Sequence, residues 1–304
     1  MLQQLLVDLF PNAASRPKII GPDTHGWHGP PPDPESDSKL HFLRNFTALC
    51  KSLGVDLFAV THHEYIEIPE SSTTPPPASK LDLTGSIASA VNASLAPSGF
   101  PIWAGEICPH NGGSVPCDSS SERWANFADT FWYLDAMGSK SSNGYSAFCR
   151  QDFIGIDYAM LDCATNDPLP DYYGGVLWSK LMGTGVVRVA SSSSVRAYAH
   201  CHATNPADLT VLLINLEPDN RVSKPHTIVI GDGSAATEEY HLTGPSGTAA
   251  QTVALNGAVL RATAEGVLPA MAGRVGVAKS VTLAPASIAF VVAKGLGAAA
   301  GCTG

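Results

Sequence analysis

Phe100-Pro101-Ile102-Trp103-Ala104-Gly105-Glu106 runs directly into Ile107-Cys108-Pro109-His110-Asn111-Gly112-Gly113. The first piece has the length and apolar content of a buried strand, and the second is built from turn formers. Glycines in such a loop offer backbone N–H groups and let a ligand approach closely. Taken alone, a strand-end glutamate is more often a solvated boundary residue. The segments on either side change that reading.

Upstream, residues 17–23 read as a strand that ends in a turn at Asp23, and residues 55–61 as a second strand ending in His62-His63. Between them, Leu40, Phe42, Leu43, Phe46, Leu49, Cys50 and Leu53 recur with helical spacing, and Gly54 stops the helix. Residues 79–96 supply another helix before the Glu106 strand. Downstream, residues 124–137 are helical with Gly138 beyond them, 146–151 form a fourth strand, and a helix over 172–182 is closed by Gly183. Strand then helix, repeated four times, indicates parallel βα units. Asp23, His62, Glu106 and Arg150 gather at the strands' C-terminal ends, the face on which (β/α) barrels hold their sites. Four units make half of such a barrel, with two open edges.

After about residue 185 the pattern becomes short strands separated by Gly, Pro and Asn clusters, as in 195–201, 209–215, 227–230, 240–242, 252–255 and 287–292. This reads as an antiparallel β-sandwich. The expected fold is therefore α/β plus all-β: the C-terminal half of a TIM (β/α)8 barrel over residues 1–184, then a β-sandwich over 185–304.

Composition narrows the partners. A hydrophobic fraction of 44% and a charged fraction of 15% describe a globular chain. With a net charge of −9 and no Lys/Arg run, nucleic acid and anionic membrane surfaces are poor partners. No apolar stretch reaches the roughly 18–20 residues of a membrane span. The first ten residues lack the basic start of a secretory signal, and Leu2, Leu5, Leu6 and Leu9 read as one face of an amphipathic helix. Seven cysteines and two sequons, Asn45-Phe46-Thr47 and Asn92-Ala93-Ser94, point to an exported protein. No cofactor motif is present. His62, His63 and Glu64 are consecutive and cannot all face one ion from an extended strand, so no metal site is expected.

Ile20-Gly21-Pro22-Asp23, Val60-Thr61-His62-His63, Trp103-Ala104-Gly105-Glu106, Phe131-Trp132-Tyr133-Leu134-Asp135, Cys149-Arg150-Gln151, Pro170-Asp171-Tyr172-Tyr173, Leu181-Met182-Gly183 and Arg196-Ala197-Tyr198-Ala199-His200-Cys201 together resemble the heparanase family of glycoside hydrolases, family 79, and most of all its plant-type β-glucuronidase members. Echoes continue through Leu255-Asn256-Gly257 and Phe290-Val291-Val292, in order along almost the whole chain. The resemblance implies a retaining hydrolase of β-glucuronide linkages on an eight-fold barrel with a β-sandwich. Its two carboxylates would stand about 5–5.5 Å apart. Glu106 matches the nucleophile. His62, Asp157 and Tyr158 match substrate-subsite residues, and Asn111, Gly112 and Gly113 match the loop that holds the substrate carboxylate. A glucuronic-acid-containing glycan or small glucuronide is the implied partner. The implied location is secreted, lysosomal or vacuolar, with membrane association left open.

One departure matters. The family's acid/base lies in an Asn-Glu pair, and no Asn-Glu dipeptide occurs in this sequence. An incomplete chain is the favoured expectation, and an inactive remnant the alternative. Glu64 is a minor candidate for a stand-in acid, against a solvated loop glutamate. Arg150 either neutralises an anionic sugar or pairs with a barrel carboxylate, the second being favoured. The family pairs cysteines equivalent to Cys201 and Cys302. Cys108 and Cys117 either bridge the glycine loop or stay free. Residues 24–33 carry no Lys or Arg, which favours small β-glucuronides or plant-type glucuronosyl chains over a sulfated polymer.

Overall fold

In the computed structural model, residues 1–68, 74–110, 125–276 and 280–302 are described. The first half runs α1 (Leu2–Leu9), β1 (Ile19–Trp27), α2 (Ser38–Ser52), β2 (Leu57–Tyr65), α3 (Ala78–Leu95), β3 (Ile102–Cys108), α4 (Phe127–Ser142), β4 (Tyr145–Arg150) and α5 (Pro170–Leu181). The four strands pair in sequence order, β1-β2-β3-β4, and every pairing is parallel. Among the described residues β1 and β4 are edge strands with one neighbour each.

Local chemistry sets these helices. Asp37 caps α2 by accepting from the Lys39 and Leu40 backbone N–H groups, and Leu40, Leu43, Thr47 and Cys50 then form its buried stripe. α3 buries Leu81, Thr84, Ile87, Ala88, Val91 and Leu95. α4 is buried on every side from Phe127 to Lys140, because it packs against α3 and α5 as well as β4 and the β-rich half of the chain. Gly138 does not end this helix, as the sequence reading expects. It lies inside it, where any Cβ would overlap the Tyr198 ring. Tyr198 uses that gap to donate to Asp135 Oδ1 at 2.7 Å.

The second half contains β5 (Met182–Val187), β6 (Val195–His202), β7 (Leu209–Asn215), β8 (His226–Ile228), β9 (Thr237–Thr243), β10 (Ala254–Leu255), β11 (Ala258–Val259), β12 (Arg274–Val275), β13 (Val281–Leu283) and β14 (Ser287–Ala293). The order β11-β10-β9-β14-β7-β6-β5 makes one antiparallel sheet, with β12 on β9, while β13 and β8 form a separate two-stranded sheet. Strand alternation divides the interior. Leu212, Ile214, Ile288, Phe290 and Val292 join the large core shared with α4 and α5. Their neighbours Val211, Leu213, Ala289 and Val291 join a smaller core with Val281 and Leu283 of β13. β7 and β14 are therefore buried along their whole length. Cys201 and Cys302 form a disulfide across a separation of 101 residues, which in the chain-entropy view contributes up to about 4–5 kcal/mol.

Candidate functional site

Glu106 lies in the C-terminal half of β3, in register with His63 of β2, and Asp23 lies on β1 beside them. His63 stands between the two carboxylates. Its Nδ1 is 3.4 Å from Glu106 Oε1 and its Nε2 is 3.0 Å from Asp23 Oδ2. The three side chains keep 29%, 18% and 50% exposure for Glu106, His63 and Asp23, so all can meet a ligand. Asp23 is held at φ +58°, in the left-handed region few non-glycine residues enter. Gly105 makes room for it: a Cβ there would overlap the Asp23 carboxylate and crowd Thr61. His63 Nε2, Thr61 Oγ1 and Thr24 Oγ1 are buried atoms without a hydrogen-bond partner. The Asp23–His63 contact thus has ion-pair distance without hydrogen-bond alignment.

The sheet's other side has the opposite character. His62 is 1% exposed, bonds Tyr145 through Nε2 at 2.7 Å and the His63 carbonyl through Nδ1 at 3.0 Å, and meets the Trp27 ring edge-on. Burial, reinforced by the Lys140 charge, pushes its pKa down to about 3. The imidazole is therefore neutral. The sequence reading expects His62 in the substrate subsite; the structure places it on the buried, helix-facing side of the sheet, and His63 on the partly exposed side beside Glu106. A register shift in the β2–β3 ladder falls between these two residues. The unpaired residue is Gly105 of β3, so the bulge sets Glu106 instead of Gly105 opposite His63, which simple alternation cannot locate from sequence.

Glu64 is neither a stand-in acid nor a solvated loop residue. Its carboxylate is fully buried and accepts from Lys140 Nζ at 2.6 Å, with Lys140 itself 1% exposed. Burial raises the Glu64 pKa, while Lys140 opposes the rise. Arg150 follows the favoured expectation and pairs with carboxylates. Its Nη2 lies 3.0 Å from both Asp129 and Asp171 and also donates to the Tyr158 carbonyl at 2.8 Å. Burial and the neighbouring Asp171 raise the Asp129 pKa, against the Arg150 charge.

The remaining expected site residues are dispersed. Tyr158 is 2% exposed and Asp157 5%. The Tyr158 hydroxyl donates to Gln151 Oε1 at 3.4 Å, and Tyr65 donates to the same oxygen at 3.2 Å. Tyr65 also meets His63 edge-on at 6.2 Å, so a string of polar rings borders the cleft. Asn111, Gly112, Gly113 and Cys117 lie outside the described residues. Cys108 is a free buried thiol that donates to the His110 carbonyl, and burial lifts its pKa to about 12. Cys163 is disulfide-bonded. Among the described residues no group of three or more His, Cys, Asp or Glu side chains is arranged to hold a metal ion. No described helix is long and apolar enough to cross a membrane.

Chemically, the site offers an accessible carboxylate on a rigid strand, an imidazole that contacts it, and a second carboxylate behind the imidazole. Sequence reasoning put Asp23 on the site face without giving it a role, and missed His63 as a site member. Their position at strand ends was visible, but the contact that joins them to Glu106 is tertiary.

No family model matches this sequence. Among curated proteins, the chain is 32% identical over 225 residues to heparanase-like protein 1 of Arabidopsis thaliana, covering 62% of this chain and 41% of that protein. It is 33% identical to the baicalin-β-D-glucuronidase of Scutellaria baicalensis, over 56% of this chain and 33% of the relative. The chain thus spans less than half the length of these relatives. Among solved structures, it superposes on a GH51 arabinofuranosidase from Xanthomonas axonopodis pv. citri with a TM-score of 0.57 at 14% identity, covering 97% of this chain and 63% of the other. A 4-O-α-L-rhamnosyl-β-D-glucuronidase from Fusarium oxysporum 12S gives 0.58 at 16% identity, covering 83% and 56%. The similarity to heparanase-like and β-glucuronidase proteins is one of sequence, and the similarity to these solved structures is one of fold alone.

Proposed function

We propose that this chain carries the nucleophile-bearing part of a retaining glycoside hydrolase acting on β-glucuronide linkages. Its parallel sheet is the C-terminal half of a (β/α) barrel, and the antiparallel sheets brace it. The observation that carries the reading is Glu106, on the accessible side of a parallel strand, touched by His63, in a chain similar to heparanase-like proteins and a baicalin-β-D-glucuronidase.

In this reaction a Glu106 oxygen attacks the anomeric carbon as the bond to the aglycone oxygen breaks, forming a glycosyl ester that water later hydrolyses. The departing oxygen takes a proton from a second carboxylic acid. The family's Asn-Glu pair is absent from this sequence, so this chain's share is the nucleophile and the sugar-holding wall. His63 fixes the Glu106 rotamer against Asp23. Gly105 keeps the Asp23 side chain close. Small β-glucuronides are the proposed substrates. The Lys39 ammonium is committed to the Gly26 carbonyl and lies 5.9 Å from the Trp27 ring, and residues 24–33 carry no Lys or Arg to form a basic row for a sulfated polymer. The disulfides support the reading that the protein works in an oxidising compartment, secreted or lysosomal/vacuolar.

An aryl glucuronide with a good leaving group, 4-nitrophenyl β-D-glucuronide, tests the nucleophile because its departure needs little acid help. Glu106→Gln should abolish 4-nitrophenol release while leaving glucuronide binding in place. Unchanged release would overturn the assignment. The missing Asn-Glu pair supports one second reading, a sugar-binding chain without turnover. That reading predicts binding that is indifferent to Glu106→Gln and no release in either protein.

A further inference from the structure

We propose that His25 and His28 form an acid-recognising subsite beside the Glu106 cleft, taking a carboxylate carried on the aglycone of a β-glucuronide. This rests on the glucuronidase reading above and adds a residue-level preference to it. His25 is within β1 and His28 immediately follows that strand. Their Nε2 atoms are 3.0 Å apart, and the rings are inclined by 44° at 4.8 Å. Two imidazole nitrogens at that distance share one proton, since two N–H groups would collide. His28 lies flat on Tyr65, at 5.5 Å and 12°, and Tyr65 in turn meets His63, the residue that touches Glu106. The pair thus lies two rings, His63 and Tyr65, beyond the reacting carboxylate, on the side we assign to the group attached to the cleaved sugar.

Two further features point to an anionic ligand. His28 Nδ1 is buried and has no hydrogen-bond partner. Lys39 of α2 adds a nearby positive charge, while Glu67, just past β2, is bonded to His110 at 2.8 Å. Burial, then His25, then Lys39 lower the His28 pKa, with Glu67 opposing them. His28 is therefore the member of the pair that resists a second proton until an anion arrives. A carboxylate seated against both rings accepts an N–H from each once the second proton is taken up, giving charge-assisted hydrogen bonds. Binding consumes a proton, so affinity rises as pH falls. No third His, Cys, Asp or Glu completes a metal set here among the described residues, which separates this pair from a metal centre.

The test compares 4-carboxyphenyl β-D-glucuronide with phenyl β-D-glucuronide, measured by calorimetric titration of the whole chain. At about pH 5.5 the carboxyphenyl ligand should bind about fivefold to tenfold tighter, and by about pH 8 the advantage should vanish. His28→Gln should erase the advantage while leaving phenyl glucuronide binding unchanged. His25→Gln, at an exposed position, should do the same if the first variant folds poorly. Equal affinities for the two ligands, or an advantage that survives both substitutions, overturns the subsite. Failure of both glucuronides to bind overturns instead the reading of the Glu106 cleft, and the subsite with it.

Discussion

His62 and His63 are consecutive residues of one strand, yet they occupy different chemical worlds. His63 stands partly exposed between Asp23 and Glu106. His62 is sealed among Tyr145, Trp27 and the Lys140 charge. The same contrast separates Glu106, accessible and touched by an imidazole, from Glu64, buried against an ammonium. Residue type does not distinguish the pairs. The face of the sheet does: one side is partly open to solvent, and on the other lie α3 and α4. A buried charge needs a partner of opposite sign, whereas a cleft carboxylate is solvated and free to react.

The largest effect should come from breaking the buried pair. Lys140→Met leaves the Glu64 carboxylate uncompensated and should cost about 3–5 kcal/mol in urea unfolding. Replacing both partners, Lys140→Met with Glu64→Leu, should recover most of that loss. A single substitution with no measurable cost would mean that Glu64 is not buried as a charge, and the contrast between the faces would fail.

A smaller, pH-dependent effect belongs to His62. Its pKa falls from the ordinary 6.5 to about 3 in the folded protein, so the unfolded chain binds the extra proton first. The sign follows: this contribution is fully present above about pH 6.5 and is lost as pH falls towards about 3, with a slope approaching 1.4 kcal/mol per pH unit. Unfolding free energies measured across that window should flatten in His62→Gln. An unaltered slope would assign the acid sensitivity to other groups.

The smallest stability effect should belong to the cleft. Glu106→Gln should change unfolding free energy by no more than about 0.5 kcal/mol, because its side chain keeps solvent access, and the less exposed His63→Gln by about 1 kcal/mol at most. If either variant destabilises the chain as much as Lys140→Met, the cleft residues are structural and the functional reading weakens.

Much of the architecture was readable in advance. Alternating strand and helix signals gave the four parallel units, and the later change of pattern gave the antiparallel half. Strand ends were anticipated poorly: β1 extends to Trp27, four residues past Asp23, because the chain continues to pair with β2 beyond the turn residues. Gly138 misled for a related reason. A glycine after a helical run reads as a stop, and only the Tyr198 ring packed against it reveals a different purpose.

The sequence by itself determined which residues are apolar at which period, and hence the strands, the helices and the similarity to heparanase-like proteins. It also placed Glu106 at a strand's exit. Tertiary structure decided which of His62 and His63 meets the cleft, made Glu64 the partner of Lys140, and brought Asp23 to His63. These are contacts between residues distant in the chain, fixed by strand register and by the face each side chain is given. Local pattern carries periodicity, but a one-residue register shift reverses every facing beyond it.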